Sequence, residues 1–167
     1  MAVTIDDLNA RSREGFVEAI GWIFESSPWV AQRAWRRRPF NDLDALHEAM
    51  VAEVASATLK EQLALLRAHP DLGTVRAGPM SDVSTTEQIR AGLDDLTRAE
   101  IDRLAALNAN YRDKFGFPFL FAVRGATTNV ILNAIENRLL GTREAELDEA
   151  LRQVYRIARF RLEDVLS

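Results

Sequence analysis

Cysteine is absent from the 167-residue sequence. Disulfides, thiolate nucleophiles, iron–sulfur clusters and thiolate zinc sites are therefore excluded. Lysine is almost as scarce: Lys60 and Lys114 are the only two, neither lies in a cofactor motif, and Schiff-base chemistry has no evident carrier. There is no glycine-rich phosphate loop. Histidine is limited to His47 and His69. His69 and Asp71 can both touch a cation, but no second suitable His or Cys completes a transition-metal shell, so no metal site is expected. No apolar run is long enough to span a bilayer, and Met1-Ala2-Val3-Thr4-Ile5-Asp6-Asp7 has neither a basic start nor an apolar core. The end, Val165-Leu166-Ser167, lacks a Ser-Lys-Leu type address. A cytoplasmic protein without membrane attachment is the expectation. A net charge of −4 argues against broad nucleic-acid binding, and Arg36-Arg37-Arg38 reads as a solvated helix end.

What is present is an ordinary soluble balance, 47% hydrophobic and 28% charged, enough for one domain over residues 1–167 with a true core. Helix signals recur almost throughout. Thr4 with Asp7 and Thr97 with Glu100 have the form of capping boxes, and Ser12 can cap a helix burying Phe16, Ile20 and Ile23. Ser27 followed by Pro28 reads as a cap with a first-turn proline. Asn41 can cap a helix striped by Leu43, Leu46, Met50 and Val54, and Thr58 opens one carrying Leu59, Leu63 and Leu66 up to His69. Ser84 opens a short helix ending near Gly92, and Ile101, Leu104, Leu107 and Tyr111 mark a longer one. Phe115 to Gly125 is the one extended stretch. Thr128 or Asn129 can cap a helix through Ile131, Leu132, Ile135 and Leu139, and a last helix carries Leu147, Leu151, Val154, Ile157 and Leu162. The predicted fold is all-α, an irregular antiparallel bundle in a single domain.

Chemistry concentrates in a few residues. Pro70 biases His69 out of the helical region, so the ring can project from a helix terminus whose carbonyl dipoles favour imidazolium. From local sequence, proton transfer and a bland structural role are both open to it. His47, beside an apolar stripe, reads as a partly buried structural imidazole or a surface one. Ser84-x-x-Glu87 matches a capping box, so Glu87 is either a cap or a functional carboxylate. Gln88 faces solvent or, turned inward, reads a heterocycle's donors and acceptors. Phe115 to Phe121 has the composition of core, but Gly116 and Pro118 leave backbone groups that need partners, some of which a flat urea-like ligand can supply. Arg159 and Arg161 cannot share a helix face, so at most one enters a pocket. Residues 74–83 form a polar connection or lid.

Six motifs occur in order: Phe24-Glu25-Ser26-Ser27-Pro28-Trp29-Val30; Arg38-Pro39-Phe40; Ala68-His69-Pro70-Asp71-Leu72-Gly73; Ser84-x-x-Glu87-Gln88-x-x-Ala91-Gly92-Leu93; Leu107-Asn108-x-x-Tyr111-x-x-Lys114-Phe115-Gly116-Phe117-Pro118-Phe119; and Ile157-Ala158-x-x-Arg161-Leu162. Together they resemble the 2-oxo-4-hydroxy-4-carboxy-5-ureidoimidazoline (OHCU) decarboxylases, which act last on the route from urate to allantoin. The resemblance spans nearly the whole chain. It implies an all-helical homodimer working on a small molecule without cofactor or metal, with His69 as catalytic imidazole and Glu87 as its carboxylate partner. Ser84, Gln88, Phe117, Phe119 and Arg161 would line or clamp the substrate, and Pro70 would shape the histidine's turn. His-Pro-Asp is also the tripeptide of J-domains, but Leu63-Ala64-Leu65-Leu66 before it and Leu72-Gly73 after it are not their basic flanks.

Overall fold

The computed structural model describes residues 3–73 and 82–166. Among them the regular structure is helical, as expected: α1 (Ile5–Ala10), α2 (Arg13–Ile20), α3 (Trp29–Ala34), a 3₁₀ turn (Trp35–Arg37), α4 (Leu43–Ala55), α5 (Leu59–Arg67), α6 (Asp82–Arg90), α7 (Arg98–Phe115), α8 (Thr128–Arg138) and α9 (Arg143–Val165). The only strand-like feature described is an isolated parallel bridge from Val3 to Leu166. No described helix is long and apolar enough to cross a membrane. The chain divides into two compact units, Met1–Ala68 with Val154–Ser167, and His69–Gln153.

In the first unit, α3 packs against α2 and α4. Its core includes Phe16, Ile20, Val30, Leu46, Met50, Val54 and Leu66. Thr4 with Asp7 and Thr58 with Glu61 form reciprocal capping boxes, and the Ser12 hydroxyl accepts from the Gly15 N–H. Two caps differ from expectation. The first is α4, capped by Asp42 rather than Asn41: its carboxylate accepts from the Ala45 N–H at 2.8 Å. At α3, Pro28 occupies the cap position without a side-chain bond, and the Ser27 hydroxyl donates instead to the Glu25 carbonyl at 2.8 Å. On α5 the buried side is Leu65 and Leu66, while Leu59 is exposed. His47 is half-buried, with its Nε2 2.9 Å from the Tyr155 carbonyl, which fits the partly buried structural reading.

In the second unit, α7 packs against α8, and the Thr97–Glu100 box caps α7 as expected. Its buried stripe is Leu104, Asn108, Tyr111 and Phe115, with Ile101 exposed. Thr127, not Thr128 or Asn129, caps α8. Helix α6 begins at Asp82, two residues before Ser84, and ends at a left-handed glycine. There the Leu93 N–H bonds the Gln88 carbonyl and the Gly92 N–H the Ile89 carbonyl, both at 2.9 Å, which is the Schellman pattern.

Candidate active site

His69 stands two residues beyond the end of α5, at the first position of the second unit. The residue is buried, at 6% exposed. The cause lies in the residues that follow, which are tied to two helices. The Gly73 N–H donates to Gln88 Oε1 on α6 at 2.9 Å, and Asn108 Nδ2 on α7 donates to the Leu72 carbonyl at 2.9 Å. Arg112 Nη2 pairs with Asp71 at 2.8 Å. Gly73 has φ +83, and a Cβ there would sit 2.5 Å from Leu104 Cδ2. Only glycine meets both demands, left-handed backbone and close approach to α7.

Helix α6 carries Ser84, Glu87 and Gln88, spaced so that Ser84 has the other two as same-face neighbours. Ser84 and Gln88 are buried and Glu87 is half-buried. Ser84 is the third residue of the helix, not its cap, so the capping-box reading of Glu87 fails. Gln88 is turned inward, as one of its two readings required, and its carbonyl oxygen holds the histidine loop. Residues 74–81 of the expected lid lie outside the described residues, and Val83 belongs to α6.

Phe117 and Phe119 are fully buried. Their rings meet Tyr111 edge-on, with centroids at 6.0 and 5.4 Å, and the Arg138 guanidinium lies 4.6 Å over Phe119. The backbone groups freed by the broken helix find protein partners in part: Ala122 N–H donates to Gln153 Oε1 at 2.9 Å, the Leu120 carbonyl accepts from Arg138, and the Phe115 carbonyl from Arg143. Arg138 Nε also meets Glu146 at 2.7 Å, and the Tyr111 hydroxyl donates to the same carboxylate at 2.6 Å. Burial, and secondarily that bond, pushes the Tyr111 phenol up from its ordinary range. This extended segment is thus braced by α7, α8 and α9.

Of the two arginines, Arg159 is surface-paired with Asp44 and Glu163, and Arg161 is the buried one. It belongs to the first unit. Its Nη2 meets Glu25 Oε2 at 2.9 Å and its Nη1 donates to the Ile23 carbonyl at 3.2 Å. Sequence reasoning gave Glu25 and Asn108 no role of their own, although both stand in the motifs, and did not single out Glu146 or Gln153. The available signal was a polar residue in register with an apolar stripe, as Asn108 is with Leu104, Tyr111 and Phe115. Among the described residues, no group of three or more His, Asp or Glu is placed to hold a metal ion.

An all-helical frame with one enclosed imidazole and an adjoining carboxylate helix fits proton-transfer chemistry on a small molecule. Residues 9–163 match the family model for OHCU decarboxylase, and the chain belongs to that family of carboxy-lyases. The 2-oxo-4-hydroxy-4-carboxy-5-ureidoimidazoline decarboxylase of Halalkalicoccus jeotgali is 45% identical over 98% of this chain and 92% of that protein. The uric acid degradation bifunctional protein PucL of Bacillus subtilis is 44% identical over 98% of this chain, which corresponds to 33% of PucL. A crystal structure of (S)-allantoin synthase superposes with a TM-score of 0.81 at 34% identity, covering 98% of this chain and 54% of that one. The crystal structure of OHCU decarboxylase in the presence of (S)-allantoin shares the fold, with a TM-score of 0.68 at 22% identity.

Proposed function

We infer that this chain decarboxylates 2-oxo-4-hydroxy-4-carboxy-5-ureidoimidazoline to (S)-allantoin in urate degradation, without cofactor or metal, as a cytoplasmic homodimer. The observation that carries the reading is an enclosed imidazole, His69, on a loop hydrogen-bonded to the helix that bears Glu87.

The substrate provides its own electron sink. When the carboxyl C–C bond breaks and carbon dioxide leaves, the electron pair forms a ring C=C bond. The former C=N pair moves to nitrogen, which takes a proton. The resulting enol then ketonises: the hydroxyl proton departs as the ring carbonyl forms, and a proton is delivered to the carbon bearing the ureido arm. No external electron acceptor is needed. His69, oriented by Glu87, handles the hydroxyl proton and controls reprotonation, a role worth about 10²- to 10⁴-fold in rate. Ser84, Gln88, Phe117 and Phe119 line the substrate, Pro70 sets the turn, and Arg161 holds the carboxylate or ureido arm so that the new C–H bond forms on one face. No nucleic acid or membrane enters this scheme.

The test generates the substrate from urate with urate oxidase and the intervening hydrolase, then follows optical activity. Faster turnover and one product hand are expected; racemic product at the uncatalysed rate rejects the assignment. His69→Ala and Glu87→Gln should each lower turnover by about 10²- to 10⁴-fold. Full activity in a folded His69→Ala variant would remove the mechanism. The dimer is checked by light scattering.

A further inference from the structure

Glu25 is a buried carboxylate that the scheme above leaves without a task. It is 5% exposed, and its ion-pair partner Arg161 is 2% exposed. A pair so fully withdrawn from water contributes little net stability, because desolvating both ions offsets most of their attraction. Stability alone therefore does not account for it. The backbone around Glu25 is, moreover, built to hold one geometry. Ser26 is left-handed, with φ +47, a conformation unfavourable for a residue with a side chain that persists only where the surroundings enforce it. Next to it the Ser27 hydroxyl donates to the Glu25 carbonyl at 2.8 Å, the bond that displaces Ser27 from the cap of α3. On the other side, Ile23 and Phe24 are each 1% exposed, and the Ile23 carbonyl accepts from Arg161 Nη1. Residues 23–27 thus present two acceptors, a carbonyl and a carboxylate, to the two terminal nitrogens of one guanidinium. Two acceptors on two nitrogens fix the plane of a guanidinium as well as its position.

We propose that Glu25 is a positioning residue for substrate binding: with the Ile23 carbonyl, it sets the plane and reach of the Arg161 guanidinium. The inference rests on the reading of Arg161 as a substrate clamp. Its element is place rather than charge. Glu25→Gln keeps an oxygen acceptor at the same length, whereas Glu25→Asp keeps the charge and withdraws the acceptor by one methylene.

The experiment uses the full chain and substrate generated from urate, with KM and kcat taken from progress curves and folding checked by circular dichroism. Glu25→Ala and Glu25→Asp should lower kcat/KM by about 10- to 10²-fold, the loss expected when a binding group is displaced by an ångström or so, and KM should carry it. Glu25→Gln should restore most of the wild-type KM. Arg161→Ala should raise KM, and adding Glu25→Ala to it should cost nothing more, because the two act as one unit. A purely structural role would lower melting temperature and active fraction while leaving KM in place. Wild-type KM in both Glu25→Asp and Glu25→Ala, or an undiminished Glu25→Ala effect in the Arg161→Ala background, overturns the proposal. So does the reverse ranking, with Glu25→Gln impaired and Glu25→Asp intact. Wild-type KM in folded Arg161→Ala withdraws the clamp reading itself.

Discussion

Gly73 and Gly92 share a left-handed backbone, with φ of +83 and +81, yet differ in the space around them. A Cβ at Gly92 would meet nothing within 4 Å, whereas at Gly73 it would lie 2.5 Å from Leu104 Cδ2, 3.5 Å from Leu104 Cγ and 3.7 Å from Leu96 Cδ1. Alanine at either position incurs the left-handed penalty of roughly 1–2 kcal/mol, offset by about 0.4–1 kcal/mol from the stiffer unfolded chain. Gly92→Ala should therefore lose about 1 kcal/mol. At Gly73 the buried Leu104 must also rotate or shift, and overpacking of that kind costs about 1–3 kcal/mol, so Gly73→Ala should lose about 2–4 kcal/mol. Urea denaturation of both variants measures the difference. Function should separate them further. Gly73 lies four residues from His69 and donates its N–H to Gln88, so pushing it off α7 moves the histidine loop. Decarboxylation by Gly73→Ala should fall about 10-fold or more, while Gly92→Ala turns over normally. Equal stability losses at the two glycines would refute the steric reasoning. Full turnover in Gly73→Ala would refute the claim that this glycine places His69.

Tyr111→Phe should cost about 1.5–3 kcal/mol near neutral pH, the worth of a buried hydrogen bond to a charged group, since Glu146 loses a donor. Because the folded phenol titrates above the unfolded one, its stabilising contribution is whole below about pH 10 and drains away as pH rises beyond it; wild type should lose stability more steeply there than Tyr111→Phe in alkaline denaturation. At the acid end, the Arg33 side chain, followed by the Thr58 N–H, lowers Glu61 to about 2 from an ordinary 4.5. That contribution is present above about pH 4.5 and lost on descent towards about 2. Glu61→Gln, which can still complete the capping box, should flatten the pH dependence of urea midpoints in this window, and an unchanged slope would count against the pairing. Gln153→Leu should cost about 1–3 kcal/mol by the same denaturation assay, the penalty for leaving the buried Ala122 N–H unpaired; Gln153→Glu should cost at least as much, because its carboxylate would meet the Glu149 carboxylate to which Gln153 Nε2 donates at 2.8 Å.

Helices were legible where the signal is local. Thr4 with Asp7 and Thr97 with Glu100 close their boxes within a single turn, so four residues contain the whole interaction. Where two cap-forming residues adjoin, as Asn41 with Asp42 or Thr127 with Thr128, the choice turns on how the preceding chain enters the helix, which no short window contains. Ser84 failed as a cap for a related reason: α6 starts two residues earlier and buries that hydroxyl. His69 was legible as a residue past a helix end because Pro70 enforces it, but its enclosure depends on Gln88, Asn108 and Arg112, which lie 15 to 41 residues from the groups they hold. Helix spacing left either Arg159 or Arg161 open and the family motif selected Arg161, but its pairing with Glu25, 136 residues away, was not legible.

The same physical device recurs wherever the chain leaves the helix near a candidate residue. A helical residue finds its backbone partner four positions away, and a strand finds one on its neighbour; residues 69–73, 117–123 and 23–27 lie outside both patterns, with turn bonds such as that from the Ser27 N–H to the Phe24 carbonyl. Side chains projecting from helices, most of them buried, stand in. Gln88 and Asn108 take the Gly73 N–H and the Leu72 carbonyl, Gln153 and Arg138 take the Ala122 N–H and the Leu120 carbonyl, and Arg161 takes the Ile23 carbonyl. Each such bond fixes an irregular segment from a rigid element at one point, so the segment can follow a path that no repeating pattern would allow. The cost is that each anchor is a single polar group in a dry environment, where losing it leaves an unpaired partner. In the mechanism proposed above, rate and product hand rest on the placement of the chain's own donors and acceptors. The polar residues lying in register with apolar stripes are therefore where this sequence records that placement.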